Sequence, residues 1–504
     1  MTTINYSSED VKNLVSASLD KAYEKFREKK FEIVCVITEQ VIKVDPYNAN
    51  ALQLLGLSYS ALSRHSDAIL TLQKCIDQNP QSAESLNDLA LAHSNNGNYE
   101  EAIHFLEKAI ALKPEMAVLH SNLGLQYRHK HDYENALKHF DDSVKIKREP
   151  TTLAMIGGCY GEMKLLDEAE KYIRESINLR PDFAAAHVDL ASILKLKGRW
   201  EEGFEEYEWR FDVHEQLQIW KKIYDPAKRW KGENLQGKRI MVHTEQGHGD
   251  AIMFSRYLPS LKDMGAHVTL HCAKTLEPIF EGLAHEFYTK EPKMLPDYSE
   301  ESDIPKYDFQ VPLLSLPHTM KRIITYKSYI YAKSKFDLSK YDSSCKVGIV
   351  WAGNPQHPND RMRSCKLEFF KDISKIPDIK LFSLMKDTRP RSYIHDKKVY
   401  DLTENSENMG VVDLSFHMED FGQTAEIIRS LDIVVGVDTA VMHLAGAMGK
   451  PCILLLPWSP DWRWELDGDF TIWYSTMHIL RQREKGNWQT VFEEAKSLIE
   501  NFIK

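Results

Sequence analysis

Residues 238–272 read KRIMVHTEQGHGDAIMFSRYLPSLKDMGAHVTLHC, and this stretch decides the fold of the second half of the chain. A short apolar run leads into a glycine loop, an amphipathic stretch and a second apolar run, which is the order of a βαβ unit. A second opening begins at KVGIVWAGN, residues 346–354, and a third strand-to-helix turn lies in LDIVVGVDTAVMHLAGAMGKPCILLLPW, residues 431–458. The sequence therefore predicts two α/β lobes, over 238–340 and 341–504.

The first two hundred residues carry an internal repeat. Prolines recur every 34 residues, a glycine in several units is followed three residues later by a tyrosine, and an alanine recurs at one shared position. Paired helices need small residues where they cross, and proline suits the end of the second helix. The pattern resembles the tetratricopeptide repeat and predicts an all-α solenoid over residues 1–212. The recurring residues are Pro46, Pro80, Pro114, Gly56, Tyr59, Gly124, Tyr127, Gly157, Tyr160, Ala68, Ala102, Ala136 and Ala169.

The residues between solenoid and lobes, 213–237, lack the repeat and are rich in aromatic side chains, so they are interpreted as a linker. Within the repeats, Asp88, Asn122 and Asp189 occupy equivalent polar positions. They are predicted to line a concave groove that could bind an extended polypeptide acceptor. The alternative is an ordinary solvated helix face.

Composition excludes several classes of function. The formal net charge of −10 over 504 residues argues against a nucleic-acid partner, because binding to phosphates draws on surplus Lys and Arg. The N-terminus lacks a signal-peptide layout and no apolar run approaches the ~18 residues of a membrane span, so no transmembrane segment and a cytoplasmic location are expected. The seven scattered cysteines are expected to be reduced and buried.

The glycine loop after the first predicted strand departs from the common phosphate-binding motifs. Gly247 and Gly249 fit the start of GxGxxG, but Ile252 stands where the third glycine belongs, which argues against a nicotinamide dehydrogenase. No GxxxxGK[ST] occurs either, so a P-loop nucleotidase is unsupported. The loop presents Asp250 at a helix N-terminus, where the alternative to a chemical role is an N-cap.

The third strand-to-helix turn carries a candidate anion site. The backbone N–H groups of a helix that starts near Thr439 favour a diphosphate, and His443 lies one turn further on the same face. Asp438 would either cap the helix or accept hydrogen bonds from sugar hydroxyls. His443 could instead be a packing residue.

The loop after the second opening, AGNPQHPNDRMRS, follows a strand end, where open α/β sheets bind ligands. Its candidates are Asn354 and the pair Arg361 and Arg363, either of which could clamp phosphate oxygens. The alternative is a solvated charged loop. The nearby Trp458, Trp462 and Trp464 could stack on a base, although buried tryptophans are usually core residues.

Metal chemistry finds little support in the sequence. His267 and His271 share a strand face, and DGD at residues 467–469 resembles a carboxylate pair, but neither has a convergent third ligand. No essential metal and no other cofactor are expected.

Three motifs, in order, carry a resemblance to a known family. EQGHGDAIMFSRYLP, VGIVWAGNP with its downstream arginine, and DIVVGVDTAVMHLAGAMGKP resemble the heptosyltransferase-type glycosyltransferases over about residues 238–500. The resemblance implies the GT-B architecture, with two Rossmann-like lobes and an inverting, metal-independent reaction. One departure is that the family's D-T-G reads Asp438, Thr439 and Ala440 here.

The resemblance also implies roles for the candidate residues. Asp250 would be the base that deprotonates the acceptor, and Arg361 or Arg363 would stabilise the leaving group. The implied donor-binding set is Gly249, Asn354, Arg361, Arg363, Asp438, Thr439 and His443. The expected function is sugar transfer from a nucleotide-sugar donor to a macromolecular acceptor, which could be a protein recruited by the repeats; the alternative is a non-catalytic scaffold that retains this fold.

Overall fold

The computed structural model describes residues 8–213, 217, 220, 222–290, 304–325, 328–341, 343–355, 357, 360–386 and 409–504. The chain divides into two compact units, Met1–Ala186 and His187–Lys504. The first is built of paired α-helices, and the second contains two parallel sheets with helices between the strands. The predicted fold class, an all-α solenoid followed by Rossmann-like α/β lobes, is confirmed.

The helices of the repeat region follow one another in pairs with short connections. The last pair begins in the first unit, because its first helix spans the boundary between Ala186 and His187. Helices α1 to α12 are Ser8–Arg27, Phe31–Val44, Ala49–Ala61, His65–Gln78, Ala83–Asn95, Tyr99–Leu112, Ala117–His129, Tyr133–Ile146, Pro150–Glu162, Leu166–Leu179, Ala184–Leu196 and Trp200–Glu206.

The recurring glycines are explained by packing. A Cβ atom at Gly56 would lie 2.5 Å from Cγ of Leu72, and one at Gly157 would lie 2.5 Å from Cγ1 of Ile173. Both distances are far below van der Waals contact, so the helices of a pair approach closely only because these positions lack a side chain. The glycines shape the solenoid and are not site residues.

The first sheet has the strand order β3-β2-β1-β4, and all of its strands are parallel. β1 lies centrally, with Ile240 paired with Val268 on one side and Phe309 on the other. Its strands β1 to β4 are Arg239–His243, His267–His271, Glu286–Tyr288 and Phe309–Pro312.

The second sheet has the order β10-β9-β8-β5-β6-β7, again all parallel. Its central strands are buried on both faces, which explains their uninterrupted apolar sequences. Strands β5 to β10 are Cys345–Val350, Ile379–Ser383, Val412–Asp413, Ile433–Val437, Cys452–Leu456 and Met477–Arg481. Helices α13 to α21 are Arg210–Val213, His248–Phe254, Leu258–Asp263, Glu277–Phe280, Leu316–Met320, Asp360–Arg363, Phe421–Ser430, Ala440–Ala447 and Gln489–Ile503.

The core of the second unit starts upstream of the sheets. Ala191, Phe204 and Tyr207 belong to the same buried cluster as the strands of both sheets. In the stretch predicted as a linker, the backbone N–H of Trp230 donates to the carbonyl of Gln310 in β4 at 2.9 Å. Trp220 and Tyr224 stack on His243 of β1, so the aromatic residues before β1 pack onto the first sheet. Among the described helices, none combines the length and apolar character needed to cross a bilayer.

Candidate functional site

The candidate site lies at the carboxyl ends of strands where each sheet reverses its strand order. In the first sheet this is β1, which lies between β2 and β4, and in the second it is the β5–β8 pair. Open α/β sheets bind ligands at such points, because the loops diverge there and leave a crevice. The loops and helix starts that follow β1, β5 and β8 carry the catalytic and donor-binding residues predicted from the sequence.

The helices that follow two of these loops come into direct contact at a glycine. A Cβ atom at Gly249, in α14, would lie 2.8 Å from Cδ2 of His443 and 3.6 Å from Cα of Ala440, both in α20. Any larger residue at 249 would push His443 aside. The absence of a side chain at Gly249 thus lets the helix after β1 pack on the helix after β8.

Asp250 lies in the first turn of α14, and its side chain is 17% exposed. Gly247 is the N-cap residue of α14, so Asp250 does not have the N-cap role that was its alternative interpretation from the sequence. Its Oδ1 accepts a hydrogen bond from Nη2 of Arg463. Nη1 of the same arginine donates to Oδ1 of Asp461 at 2.7 Å, so the guanidinium lies between two carboxylates.

This arrangement fixes the charge of Arg463. Burial opposes a charged guanidinium, but the carboxylates of Asp250 and Asp461 outweigh that effect and raise the pKa of Arg463 well above its usual range. A permanently charged arginine beside a carboxylate can orient that carboxylate and also attract a phosphate group.

His443 lies close to the cluster formed by Asp250, Asp461 and Arg463. It is almost fully buried, with 4% exposure. Its Nδ1 is 2.9 Å from the hydroxyl of Tyr474, and its ring stacks on Trp464 with 5.0 Å between centroids. Burial, together with the charge of Arg463, lowers the pKa of His443 to about 3, so the ring is neutral at physiological pH. A contact of His443 with the donor therefore has to come from a neutral imidazole whose Nδ1 is already bonded.

Asp438 and Thr439 follow β8. Thr439 is the N-cap residue of α20, yet its side chain makes no capping hydrogen bond, and its Oγ1 is buried without a partner among the described residues. An unpartnered buried hydroxyl is costly unless something binds it. Burial and the nearby carboxylate of Asp461 raise the pKa of Asp438 to about 6, the kind of shift that clusters at functional sites.

The loop after β5 contributes one of its two arginines. Arg363 is mostly buried, with a side chain 16% exposed; its Nε is 3.2 Å from Oδ1 of Asp360. Its positive charge opposes the rise in the pKa of Asp438 and adds to the fall in the pKa of His443, so Arg363 lies close to both residues. Arg361 and Asn354 are exposed. The sequence suggested either Arg361 or Arg363 as the phosphate-binding arginine, and of the two it is Arg363 that lies close to Asp438 and His443.

The predicted acceptor residues of the first unit bond to neighbouring repeats. Oδ2 of Asp88 in α5 accepts from Gln53 of α3 at 2.6 Å, and Asn122 of α7 donates to Asn87 of α5 at 2.7 Å. Burial raises the pKa of Asp88. Asp189 is exposed and belongs to the second unit. An acceptor role for these residues remains a prediction.

Sequence reasoning missed Arg463, Asp461 and Lys195. Lys195 is fully buried; its Nζ lies 3.7 Å from the ring centroid of Tyr207 and 3.8 Å from that of Trp462, and it has no hydrogen-bond partner among the described residues. For Asp461 and Arg463, the available signal was the run DWRW, residues 461–464, in which a charged residue stands between two tryptophans. A charged residue inside such an aromatic run is buried together with it and then needs a partner.

Comparison with known proteins agrees with this architecture. Tetratricopeptide-repeat families match residues 50–82, 71–104 and 150–183, and glycosyltransferase family 9 (heptosyltransferase) matches residues 393–469. The chain carries tetratricopeptide repeats and a glycosyltransferase family 9 domain. The matched stretch of the family 9 domain includes Asp438, Thr439, His443 and Arg463, whereas Asp250 lies outside it.

Three individual proteins that resemble this chain share with it 25% or fewer of the residues in the aligned parts. Protein FlbA of Caulobacter vibrioides is 25% identical over 350 residues, which cover 64% of this chain and 56% of FlbA, so the chain spans little more than half of that relative. A thermophilic TPR protein of Thermus thermophilus is 19% identical, with a TM-score of 0.33, over 36% of this chain and 98% of its own. PilF of Pseudomonas aeruginosa is 16% identical, with a TM-score of 0.35, over 42% of this chain and 99% of its own.

Proposed function

We propose that the protein is an inverting glycosyltransferase that moves a sugar from a nucleotide-sugar donor to a polypeptide or other macromolecular acceptor held by the repeats. The observation that carries the proposal is the convergence of Asp250, Arg463, Arg363 and Asp438 at the reversal points of the two sheets. Carboxylate, guanidinium and an open helix start are the groups that sugar transfer needs in one place.

The reaction follows from these groups. An acceptor hydroxyl oxygen attacks the anomeric carbon of the donor sugar while the bond from that carbon to the diphosphate oxygen breaks. The hydroxyl proton passes to the carboxylate of Asp250, and the nucleoside diphosphate leaves with the electron pair of the broken bond. Arg463 orients Asp250, and Arg363 offsets the charge that develops on the leaving diphosphate.

Donor binding is assigned to the start of α20. Its first backbone N–H groups and the unpartnered Oγ1 of Thr439 would bind phosphate oxygens. Asp438 would accept a hydrogen bond from a sugar hydroxyl. The two charged arginines supply positive charge to the diphosphate, so this scheme needs no metal ion.

The base is tested by Asp250→Asn, measured as turnover of a nucleotide sugar found by screening donors for binding. General-base catalysis contributes roughly 10²- to 10⁴-fold, so turnover should fall by that factor with little change in donor affinity. Asp461→Asn is the matched control, because it removes the other carboxylate bonded to Arg463 but leaves the proposed base in place. Equal turnover in wild type and Asp250→Asn would exclude Asp250 as the base.

The donor site is tested by Thr439→Val, which keeps the side-chain shape and removes the hydroxyl. The variant should bind a nucleotide sugar more weakly in a calorimetric titration. Thr490→Val is the control, because its Oγ1 is also buried without a partner among the described residues but lies in the C-terminal helix α21. Equal losses in the two variants would point to a general stability effect.

Recruitment by the repeats is tested on the full chain with Asp88→Ala, Asn122→Ala and Asp189→Ala combined. Label transfer from a radiolabelled nucleotide sugar to protein should fall, while slow hydrolysis of the same donor should not change. Exposed Glu101→Ala serves as the control in the repeats. Unchanged transfer would leave the repeats with an assembly role only.

One observation favours the second candidate, a scaffold without catalysis. Arg463 already occupies Oδ1 of Asp250, so an acceptor hydroxyl would have to reach the other carboxylate oxygen or displace the arginine. A scaffold would neither bind nor hydrolyse any nucleotide sugar, and Asp250→Asn would change only stability.

A further inference from the structure

A cluster of metal-ligand side chains lies far from the sugar-transfer residues in sequence, in a single tetratricopeptide repeat. His120 is in α7, and His139 and Asp142 lie one turn apart in α8. One ligand atom from each of the three lies within 4.8 Å of the others. All three residues are partly buried. Helices α7 and α8 form one repeat of the solenoid, so the cluster lies between the two helices of that repeat.

The hydrogen bonds of His120 leave one ring nitrogen available. Its Nε2 is 2.9 Å from the carbonyl oxygen of Pro114, and since a carbonyl only accepts, Nε2 carries the proton. Nδ1 then holds a lone pair, and it is buried with no hydrogen-bond partner among the described residues. A histidine that donates one N–H to a backbone carbonyl and offers the other nitrogen is the usual arrangement of a metal-binding histidine.

His139 offers a second unpartnered nitrogen. Its Nδ1 is buried and makes no hydrogen bond within the described parts of the chain, although Oδ2 of Asp142 lies 4.0 Å away. The ring is held in place by stacking on Tyr127, with 5.5 Å between centroids. The other carboxylate oxygen of Asp142, Oδ1, lies 3.5 Å from Nζ of Lys145, so Oδ2 is the oxygen turned toward the histidines.

From these contacts we infer that His120, His139 and Asp142 form a binding site for a divalent transition-metal ion such as Zn²⁺, with the fourth position open to water. Two imidazole nitrogens and one carboxylate oxygen are a ligand set that zinc accepts in proteins. Bonds of ~2.0 Å to a tetrahedral ion place ligand atoms about 3.3 Å apart, so on binding the three side chains would rotate to close the 4.8 Å spread by roughly 1.5 Å. The ion would clamp α7 to α8 and stabilise the repeat.

The site is tested on the full chain after chelation and dialysis, with Zn²⁺ alone as the probe. Calorimetry should show one tight equivalent, and the melting temperature should rise with Zn²⁺ because the ion binds the folded state. His139→Ala and Asp142→Asn should each weaken binding by more than about 100-fold, since even outer-shell partners of a metal site contribute about 10- to 100-fold. Co²⁺ should give the absorption bands of a tetrahedral ion in the wild type only.

The matched control is His104→Ala, which removes an exposed histidine from the preceding repeat. It should leave the single equivalent intact, which matters because the chain has 20 histidines that could bind zinc weakly. If His139→Ala does not fold, Asp142→Asn supplies the decisive variant, because the Asp142 side chain is 36% exposed. The inference is overturned if no saturable equivalent binds, or if His104→Ala weakens binding as much as Asp142→Asn does.

Discussion

Arg463 donates a hydrogen bond to Asp250, 213 residues away in the sequence, and so connects the segment after β9 to the helix after β1. The same guanidinium is bonded to Asp461. Both Asp250 and Arg463 have side chains that are less than one-fifth exposed. A mostly buried pair of this kind constrains the direction of the carboxylate.

We expect Arg463→Met to lower both turnover and stability. The variant leaves the mostly buried carboxylate of Asp250 without its arginine, and breaking a buried ion pair costs about 3–5 kcal/mol. Arg463→Lys keeps the charge but loses the planar fork, so it should recover stability better than turnover. Thermal unfolding and steady-state kinetics of both variants check this. A rise in turnover in either variant would show that Arg463 masks the base and does not orient it.

We expect Asp438→Asn to stabilise the protein at neutral pH. The pKa of Asp438 is raised to about 6 from an ordinary 3.8, so between these values the folded state binds more protons than the unfolded state. Stability therefore falls as pH rises through that window, by up to about 3 kcal/mol for a shift of this size. The variant should melt higher than the wild type at pH 7.5 and differ little at pH 4.

The same residue predicts a pH dependence of donor affinity. If the donor binds as proposed, the carboxylate of Asp438 should repel the diphosphate above pH 6, and the neutral acid should not do so below that pH. Affinity for a nucleotide sugar should therefore rise as pH falls from 8 to 5.5 in the wild type, and Asp438→Asn should remove this dependence. Titrations at four pH values would check it, and equal slopes in both proteins would assign the effect to another group.

Gly249→Ala should disturb the contact between α14 and α20. The added Cβ would lie 2.8 Å from Cδ2 of His443, whose ring is confined by Tyr474 and Trp464. Overpacking of a well-packed contact costs typically about 1–3 kcal/mol. Donor binding should weaken along with stability. Gly247→Ala is the control, since a Cβ there would meet only Oδ2 of Asp250 at 3.6 Å.

Lys195→Met should stabilise the protein and make its free energy of unfolding depend less on pH. Burial lowers the pKa of Lys195 well below its usual range, so the unfolded state binds the proton over a range where the folded state does not. Stability of the wild type should therefore rise with pH up to the ordinary lysine pKa of about 10.4, and this slope should shrink in the variant. Exposed Lys231→Met should leave the slope unchanged.

The sequence by itself determined the repeats and the three strand-loop-helix units. A 34-residue period with small residues such as Gly56 at helix crossings reports contacts between neighbouring helices, which are local in the chain. Apolar runs such as residues 433–437 report strands buried on both faces, as β8 is. Both patterns can be recognised in the sequence because each reflects contacts between residues that are a few positions or one repeat apart. The predicted domain boundary at residue 212 has no such periodic signal, and the core of the second unit already includes Ala191.

Only the tertiary structure decided which side chains meet. It paired Arg463 with Asp250, brought Arg363 and not Arg361 to the cluster, and left Oγ1 of Thr439 unpartnered among the described residues. It also joined His120 to His139 and Asp142 across one helix pair. These meetings depend on strand order and on the angle at which helices cross, and no local pattern encodes either, because residues far apart in the chain approach only once the sheets and helix pairs have packed.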